Sequence, residues 1–324
     1  MPLGRILVGV DDSVPGRAAF AEALALGRAH SAAVIAVHAV PAKRPFSWGA
    51  RERTALMKGL RAEAKSAGVR LTTSVQHGNP AGVILLHAIS RRPDLIVVGT
   101  HQRTGMERLR KKSVAEQVAV KAAQPVLVVP IRDMNPPAAY TTIVAAVDFS
   151  TASDHAVERA AEVAAGTGAT LTLVHVVPGA LTASTPDSLY PGALDYQHLL
   201  VRDAWRRLQE PTPELAIPEG TVHARVLTGD PATEVSRFAE ASRADLIVVG
   251  LTRRGTLSRA VFGATAARLV RLATQPVLIV PEDYTQVSRR NRVVPRNRAS
   301  ARGDRGDARG VRPPADSRIA ATRH

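Results

Sequence analysis

The chain has 324 residues, of which 45% are hydrophobic and only 3% aromatic, and it contains no cysteine. That length suits two domains with sizeable cores built from Val, Leu, Ile and Ala, and the absence of cysteine excludes disulfides, thiolate nucleophiles and cysteine-held metals. The formal net charge is +15, and about half of it lies from Thr285 onward, where eleven Arg stand against three Asp and no Lys occurs.

The N-terminus lacks a basic region followed by the apolar stretch of about 7–15 residues that marks a secretory signal. Ile6 to Val10 is apolar but is cut off by Asp11 and Asp12. No run approaches the ~18 apolar residues of a membrane helix, so a cytoplasmic protein without membrane association is expected.

In chain order, Arg5 to Asp11 reads as a strand ending in an acid, and Ser13 as the N-cap of a helix with Pro15 in its first turn, running to about His30. A strand over 33–40 is ended by Pro41, and a loop with Phe46 and Trp48 follows. A helix from about Arg51 to Ala67 stops at Gly68, and the alternating segment 69–76 reads as a strand near an edge. Gly78-Asn79-Pro80 is a turn feeding a helix to about Arg91. Asp94-Leu95-Ile96-Val97-Val98-Gly99 is then a continuous apolar run, which suits a central parallel strand covered on both faces. Its glycine is expected to let the backbone turn tightly. A helix over 113–122 precedes Pro125 to Pro130, a strand whose flanking prolines place it at an edge or a pairing boundary.

The same order then repeats. Ile143 to Asp148 answers to Ile6 to Asp11, His175 to His38, Gly229-Asp230-Pro231 to Gly78-Asn79-Pro80, Asp245 to Gly250 to the first apolar run, and Pro276 to Pro281 to the last strand. Asp11 pairs with Asp148 and Gly78 with Gly229, so a net insertion lies between these anchors, placed at 179–192. Alternating strands and helices require right-handed crossovers and a parallel sheet. The expected fold is α/β: two tandem Rossmann-like three-layer sandwiches, each with a five-stranded parallel sheet, over 1–131 and 140–284. They are joined by a linker at 132–139 and followed by a disordered Arg-rich tail at 285–324. Ligands collect where the strand order reverses, so Asp11 should face the loop after Gly99 across one crevice, and Asp148 the loop after Gly250.

The repeated strand endings, the Gly-Asn-Pro and Gly-Asp-Pro turns, the paired Asp-Leu-Ile-Val-Val-Gly runs and the Pro-Val-Leu-Val-Val-Pro and Pro-Val-Leu-Ile-Val-Pro segments together resemble a tandem universal stress protein of the UspA superfamily, over nearly all of residues 3–284. The resemblance implies a stress-response regulatory protein, pairing of the last strands between the two halves, and a dimer-like unit within one chain. It also implies an ATP loop of Gly, two residues, Gly, nine residues, Gly and then Ser or Thr, with the acid of the first strand at the adenosine end. Glycines there let backbone N–H groups approach phosphates at a helix N-terminus.

Both copies depart from that loop. The first keeps Gly99 and Ser113 but has Gln102 and Lys112 at the other glycines; with His101-Gln102 it resembles the branch that does not bind ATP. The second keeps Gly250 and Gly263, with Arg253 at the middle glycine and Ala264 before Thr265. Asp148, Gly250, Gly263 and Thr265 are therefore the better candidate site for ATP, with Mg²⁺ accompanying it only if ATP binds. Asp11, Gly99 and Ser113 form the weaker candidate. Ser13 and Ser150 read as helix caps rather than nucleophiles, since no base stands at triad spacing. His38 and His175 read as satisfied buried histidines rather than metal ligands, and no catalytic or metal-binding set is expected. Arg108, Arg110, Lys111 and Lys112 read as a solvated approach to a helix. The tail offers weak, salt-dependent contact with nucleic acid at most. Protein partners are expected, and a homodimer is compatible with this reading. The alternatives are a ligand-free interaction protein with degenerate sites and, less favoured for want of a catalytic base, a nucleotide-processing enzyme.

Overall fold

In the computed structural model, residues 3–40, 49–100, 113–131, 136–137, 139–179, 193–210, 220–252 and 263–284 are described, all within the compact unit Met1–Asn291. The expectations for Trp48, for residues 101–112 and 253–262, for most of the linker and the insertion, and for the Arg-rich tail fall outside them.

The first half runs β1 (Arg5–Gly9), α1 (Val14–His30), β2 (Ala33–Val40), α2 (Ala50–Ser66), β3 (Leu71–His77), α3 (Pro80–Arg91), β4 (Leu95–Gly99), α4 (Val114–Lys121) and β5 (Val126–Val129). The second repeats it as β6 (Thr142–Val147), α5 (Thr151–Thr167), β7 (Thr170–Val177), α6 (Ala193–Gln209), β8 (Val222–Thr228), α7 (Pro231–Ala241), β9 (Leu246–Leu251), α8 (Ala264–Leu272) and β10 (Val277–Pro281). Pairing is parallel within each half, and the two five-stranded sets join into one sheet of order β3-β2-β1-β4-β5-β10-β9-β6-β7-β8. The join is antiparallel, with Leu127 opposite Leu278 and Val126 opposite Ile279. The proline-bracketed strands therefore form the pairing boundary between halves.

Burial follows the sequence pattern. In β1, Ile6, Leu7 and Val8 are all fully buried, yet Ile6 and Val8 belong to one core layer and Leu7 to the other, because successive side chains leave opposite faces. One layer packs α1, α2 and α5 on the sheet, and the other packs α3, α4, α7 and α8. Small residues line the inner helix faces, such as Ala152, Ala156, Ala160 and Ala164 on α5, so these helices sit close to the sheet without aromatic filler. β3 and β8, at the ends of the sheet, alternate half-buried and exposed residues, as edges should.

The helix starts are set by side-chain caps. Ser13, Asn79, Ser150 and Asp230 each accept a hydrogen bond from the first turn of α1, α3, α5 and α7. Gly78 and Gly229, at φ +145° and +143°, hold a backbone shape that L side chains rarely adopt, which is why glycine opens both turns.

The repeated acid-to-glycine run is held at both ends. At the start of β4, Asp94 Oδ2 accepts from the N–H of Gly4 and of Arg5, at 2.8 and 2.9 Å. At the start of β9, Asp245 Oδ2 accepts from Thr141 N and Oγ1, both at 2.7 Å, and from Thr142 N at 3.1 Å. Each acid thus pins the entry of the neighbouring strand, β1 or β6. The glycine at the other end serves a different purpose from the turn expected above. Neither Gly99 nor Gly250 has a positive φ. A Cβ on Gly99 would instead lie 2.1 Å from the Pro15 carbonyl oxygen, and one on Gly250 would lie 2.4 Å from Ala152 backbone atoms. The first turns of α1 and α5 rest directly on these glycines.

Gly99→Ala and Gly250→Ala should therefore each lower stability by about 1–3 kcal/mol or more through overpacking against backbone. Gly59→Ala, where an added Cβ on α2 meets nothing within 4 Å, should raise stability by about 0.5–1 kcal/mol. Urea denaturation of the three variants tests both directions.

Candidate functional site

Each half carries a crevice at the carboxyl ends of its strands, where the order reverses between β1 and β4 or between β6 and β9. The first, of about 530 Å³, includes Asp11, His38, Gly99 and Ser113 in its lining. The second, of about 450 Å³, includes Asp148, His175, Gly250, Gly263 and Thr265. All seven candidate residues therefore gather in two equivalent places. His101, Gln102, the basic residues at 108–112, Arg253 and Arg254 lie outside the described residues.

The two acids hold the helix caps. Asp11 Oδ1 accepts from Ser13 N at 3.1 Å and from the Ser13 hydroxyl, while Ser13 Oγ accepts from Gly16 N at 3.2 Å. Asp148 does the same with Ser150, at 3.0 Å from N and 2.5 Å from Oγ, and Ser150 Oγ accepts from Ser153 N at 3.2 Å. Each serine is occupied as a cap, and one oxygen of each carboxylate is spent on orienting it. The acids remain exposed at the crevice rims.

The histidines are anchored alike. His38 Nδ1 lies 2.9 Å from the Val10 carbonyl oxygen and His175 Nδ1 lies 2.7 Å from that of Val147. A carbonyl can only accept, so Nδ1 carries the proton in both rings. His175 is further held by Phe149, whose ring centroid is 4.6 Å away, and the Arg207 guanidinium covers Phe149 at 3.9 Å. Phe149 adopts φ +60°, uncommon for a bulky residue, and the first half has Asp12 there, paired with Arg17.

The halves differ most at the helix that opens onto each crevice. Ser113 caps α4 in a complete capping box: Ser113 Oγ accepts from Glu116 N at 3.1 Å, and Glu116 Oε2 accepts from Ser113 N at 2.9 Å. The other oxygen, Oε1, accepts from Arg271 Nε at 2.8 Å and pairs with its terminal nitrogen at 2.7 Å. Arg271 belongs to α8, so this pair ties the halves together across the β5–β10 seam. An internal carboxylate thus already serves the positive end of α4. On α8 the N-cap is Gly263, which supplies no side-chain hydrogen bond, and a Cβ there would meet only Leu251 Cδ1 at 3.9 Å. Among the described residues, no side chain caps the leading N–H groups of α8, and Thr265 stands in the first turn beside them. Asp230, the cap of α7, pairs with Arg268 of α8 at 2.6 Å. The Thr233 hydroxyl first, then the Thr233 N–H and the Arg268 guanidinium, hold its carboxyl below the usual range.

Glu116 and Arg271 are the functional residues that the sequence reading missed. The Ser113-x-x-Glu116 spacing is a readable capping-box signal, whereas nothing local marks Arg271. Among the described residues, no group of three or more His, Asp or Glu is placed to hold a metal ion, and no helix is long and apolar enough to cross a membrane. Glu116→Ala should cost about 1–3 kcal/mol, since it removes the carboxylate half of the capping box and the partner of Arg271. Arg271→Ala should cost less, because its side chain is half-exposed. A double-mutant cycle in urea should give a coupling of about 0.5 kcal/mol or more; additive losses would mean that the pair does not join the halves.

Comparison with known proteins bears on both crevices. The model of the universal stress protein family matches residues 2–130 and again 139–281. Universal stress protein A homolog 1 of Coxiella burnetii is 33% identical over 141 residues, covering 44% of this chain and 96% of its own. A universal stress protein of Mycolicibacterium smegmatis is 25% identical over 292 residues, covering 85% of this chain and 96% of its own. The crystal structure of a universal stress protein from Archaeoglobus fulgidus superimposes with a TM-score of 0.62 at 16% identity, over 86% of this chain and 98% of that one, a likeness of fold. With two successive matches that span both halves, the chain belongs to the universal stress protein family as a tandem member.

Proposed function

We propose that this chain is a cytoplasmic stress-response regulator that binds one adenine nucleotide, in the crevice of its second half, through Asp148, Gly250, Gly263 and Thr265. The two nucleotide-fold units are taken as 1–131 and 140–284. The reading rests on one observation: the N-terminus of α4 is served by Glu116, whereas Gly263, the N-cap of α8, offers no side-chain hydrogen bond. A phosphate is a stronger acceptor than a neutral cap, and a helix N-terminus favours negative charge. An anion can therefore gain at α8 what the first half has already satisfied from within. At the other rim, the Asp148 oxygen not used on Ser150 is available to accept from a ribose hydroxyl or the base. The apolar walls, including Val174, Val176 and Val249, suit a planar ring between them.

The first crevice, with Asp11, Gly99 and Ser113, is read as a degenerate copy whose anion is part of the protein. Binding rather than turnover is the role proposed. Ser13 and Ser150 are engaged as caps, and one oxygen of each acid is engaged by its serine. Protein partners would then read the ligand state of the second half.

Thermal melts with ATP, ADP and AMP test this, since a ligand at 100 times its Kd stabilises the fold by about 2.7 kcal/mol. Gly263→Asp is the informative variant. Aspartate is a better N-cap than glycine by a few tenths of a kcal/mol, so the unliganded protein should be equally or slightly more stable. Nucleotide affinity should nevertheless fall at least about tenfold, because the variant places a carboxylate where phosphate would sit. Asp11→Ala should leave affinity unchanged. If no nucleotide shifts the melt, or if Gly263→Asp binds as tightly as the parent, the assignment fails.

A further inference from the structure

A third cavity, of about 540 Å³, shares no lining residue with either crevice. It lies over the β5–β10 seam, between α1 and α5. Four leucines form its floor: Leu95 and Leu127 from the first half, Leu246 and Leu278 from the second. These are equivalent positions in the two copies, so the apolar floor is duplicated about the seam. The polar lining is not. By the correspondence that relates Asp11 to Asp148, Glu22 on α1 answers to Arg159 on α5, Ala25 to Glu162, and His30 to Thr167.

The charged groups here are buried and partly committed. Glu22 is 2% exposed and its Oε1 accepts from the Tyr140 hydroxyl at 2.6 Å. Arg159 is 5% exposed; its Nη1 donates to Glu162 Oε2 at 2.7 Å, and its guanidinium lies 5.7 Å from the Tyr284 ring centroid. Its Nε is buried and has no hydrogen-bond partner among the described residues, an arrangement that folded proteins disfavour. Burial above all, and Arg159 after it, holds the His30 imidazole below its ordinary range.

These features select a ligand. The floor asks for an apolar body, and the volume is that of a small-molecule site at a domain interface. Arg159 Nε asks for an acceptor, which an ammonium group lacks. Glu22 and Glu162 already place two carboxylates in the same cavity, so an anionic acceptor would meet like charge. We infer that this cavity binds a small, uncharged, largely apolar molecule whose carbonyl or hydroxyl oxygen accepts from Arg159 Nε. Touching floor residues of both halves, such a ligand fastens them at the seam, on the sheet face opposite the Glu116–Arg271 pair. The inference does not depend on nucleotide binding.

The probe is 2-acetylnaphthalene, an uncharged aromatic ketone, titrated by fluorescence into the full chain beside naphthalene-2-carboxylate and naphthalene. Saturable binding at one per chain is expected, at least about tenfold tighter than for the carboxylate. Two variants separate shape from hydrogen bonding. Gly166, on α5 at the cavity lining, has nothing within 4 Å of an added Cβ. Gly166→Leu should therefore fold, narrow the cavity from its α5 side and weaken the ketone at least about tenfold, while leaving any melting shift with ATP as in the parent. Arg159→Met removes the donor and should bring the ketone down to the affinity of naphthalene; if it does not fold, Gly166→Leu alone decides. Failure of the parent to bind the ketone saturably overturns the inference. So does equal affinity for the carboxylate, or unchanged ketone binding in Gly166→Leu.

Discussion

Close contact between the central strand and the first helix governs the architecture of both halves. α1 and α5 begin against Gly99 and Gly250, where no side chain could fit. At the far end of the same strands, Asp94 and Asp245 hold the entry of β1 and β6 through backbone N–H groups. Strand, neighbour and helix are thereby locked at both ends, and the crevice opens at the glycine end because the strand order reverses there. The acid that rims each crevice is drawn into the same construction, since Asp11 and Asp148 orient the serines that cap α1 and α5.

Duplication within one chain allowed the copies to diverge at the seam. In an assembly of identical subunits, a two-fold axis makes every contact off the axis occur twice, residue i on j and j on i. Here Glu22 answers to Arg159, and Glu116 of α4 finds Arg271 of α8. The second pairing couples the joint between halves to the helix that opens onto the second crevice. An anion at α8 would therefore act on an element already tied to the first half.

Much of the fold was legible because its signals are local. The caps at Ser13 and Ser150, the Gly-Asn-Pro and Gly-Asp-Pro turns and the continuous apolar strands all act within a few residues, and the structure shows them where the pattern predicts. The repeat located both crevices and placed all seven candidate residues in them. What escaped is long-range. The tight turn expected at Gly99 and Gly250 proves to be a close packing contact, because the residues that crowd them lie on helices remote in sequence. Glu116 and Arg271 meet across 155 positions, and Phe149 is held in a left-handed conformation beside His175 and under Arg207. Neither can be read from spacing.

The asymmetry of the two helix N-termini is most directly tested by amide hydrogen exchange, followed by mass spectrometry with and without ATP. Without ligand, the first turn of α4 (114–118) should exchange more slowly than that of α8 (264–268), because only the former is held by a capping box. ATP should slow exchange at 264–268 and leave 114–118 as it was. Equal protection of the two turns without ligand, or slowing by ATP at α4 rather than α8, would contradict the division of roles between the halves.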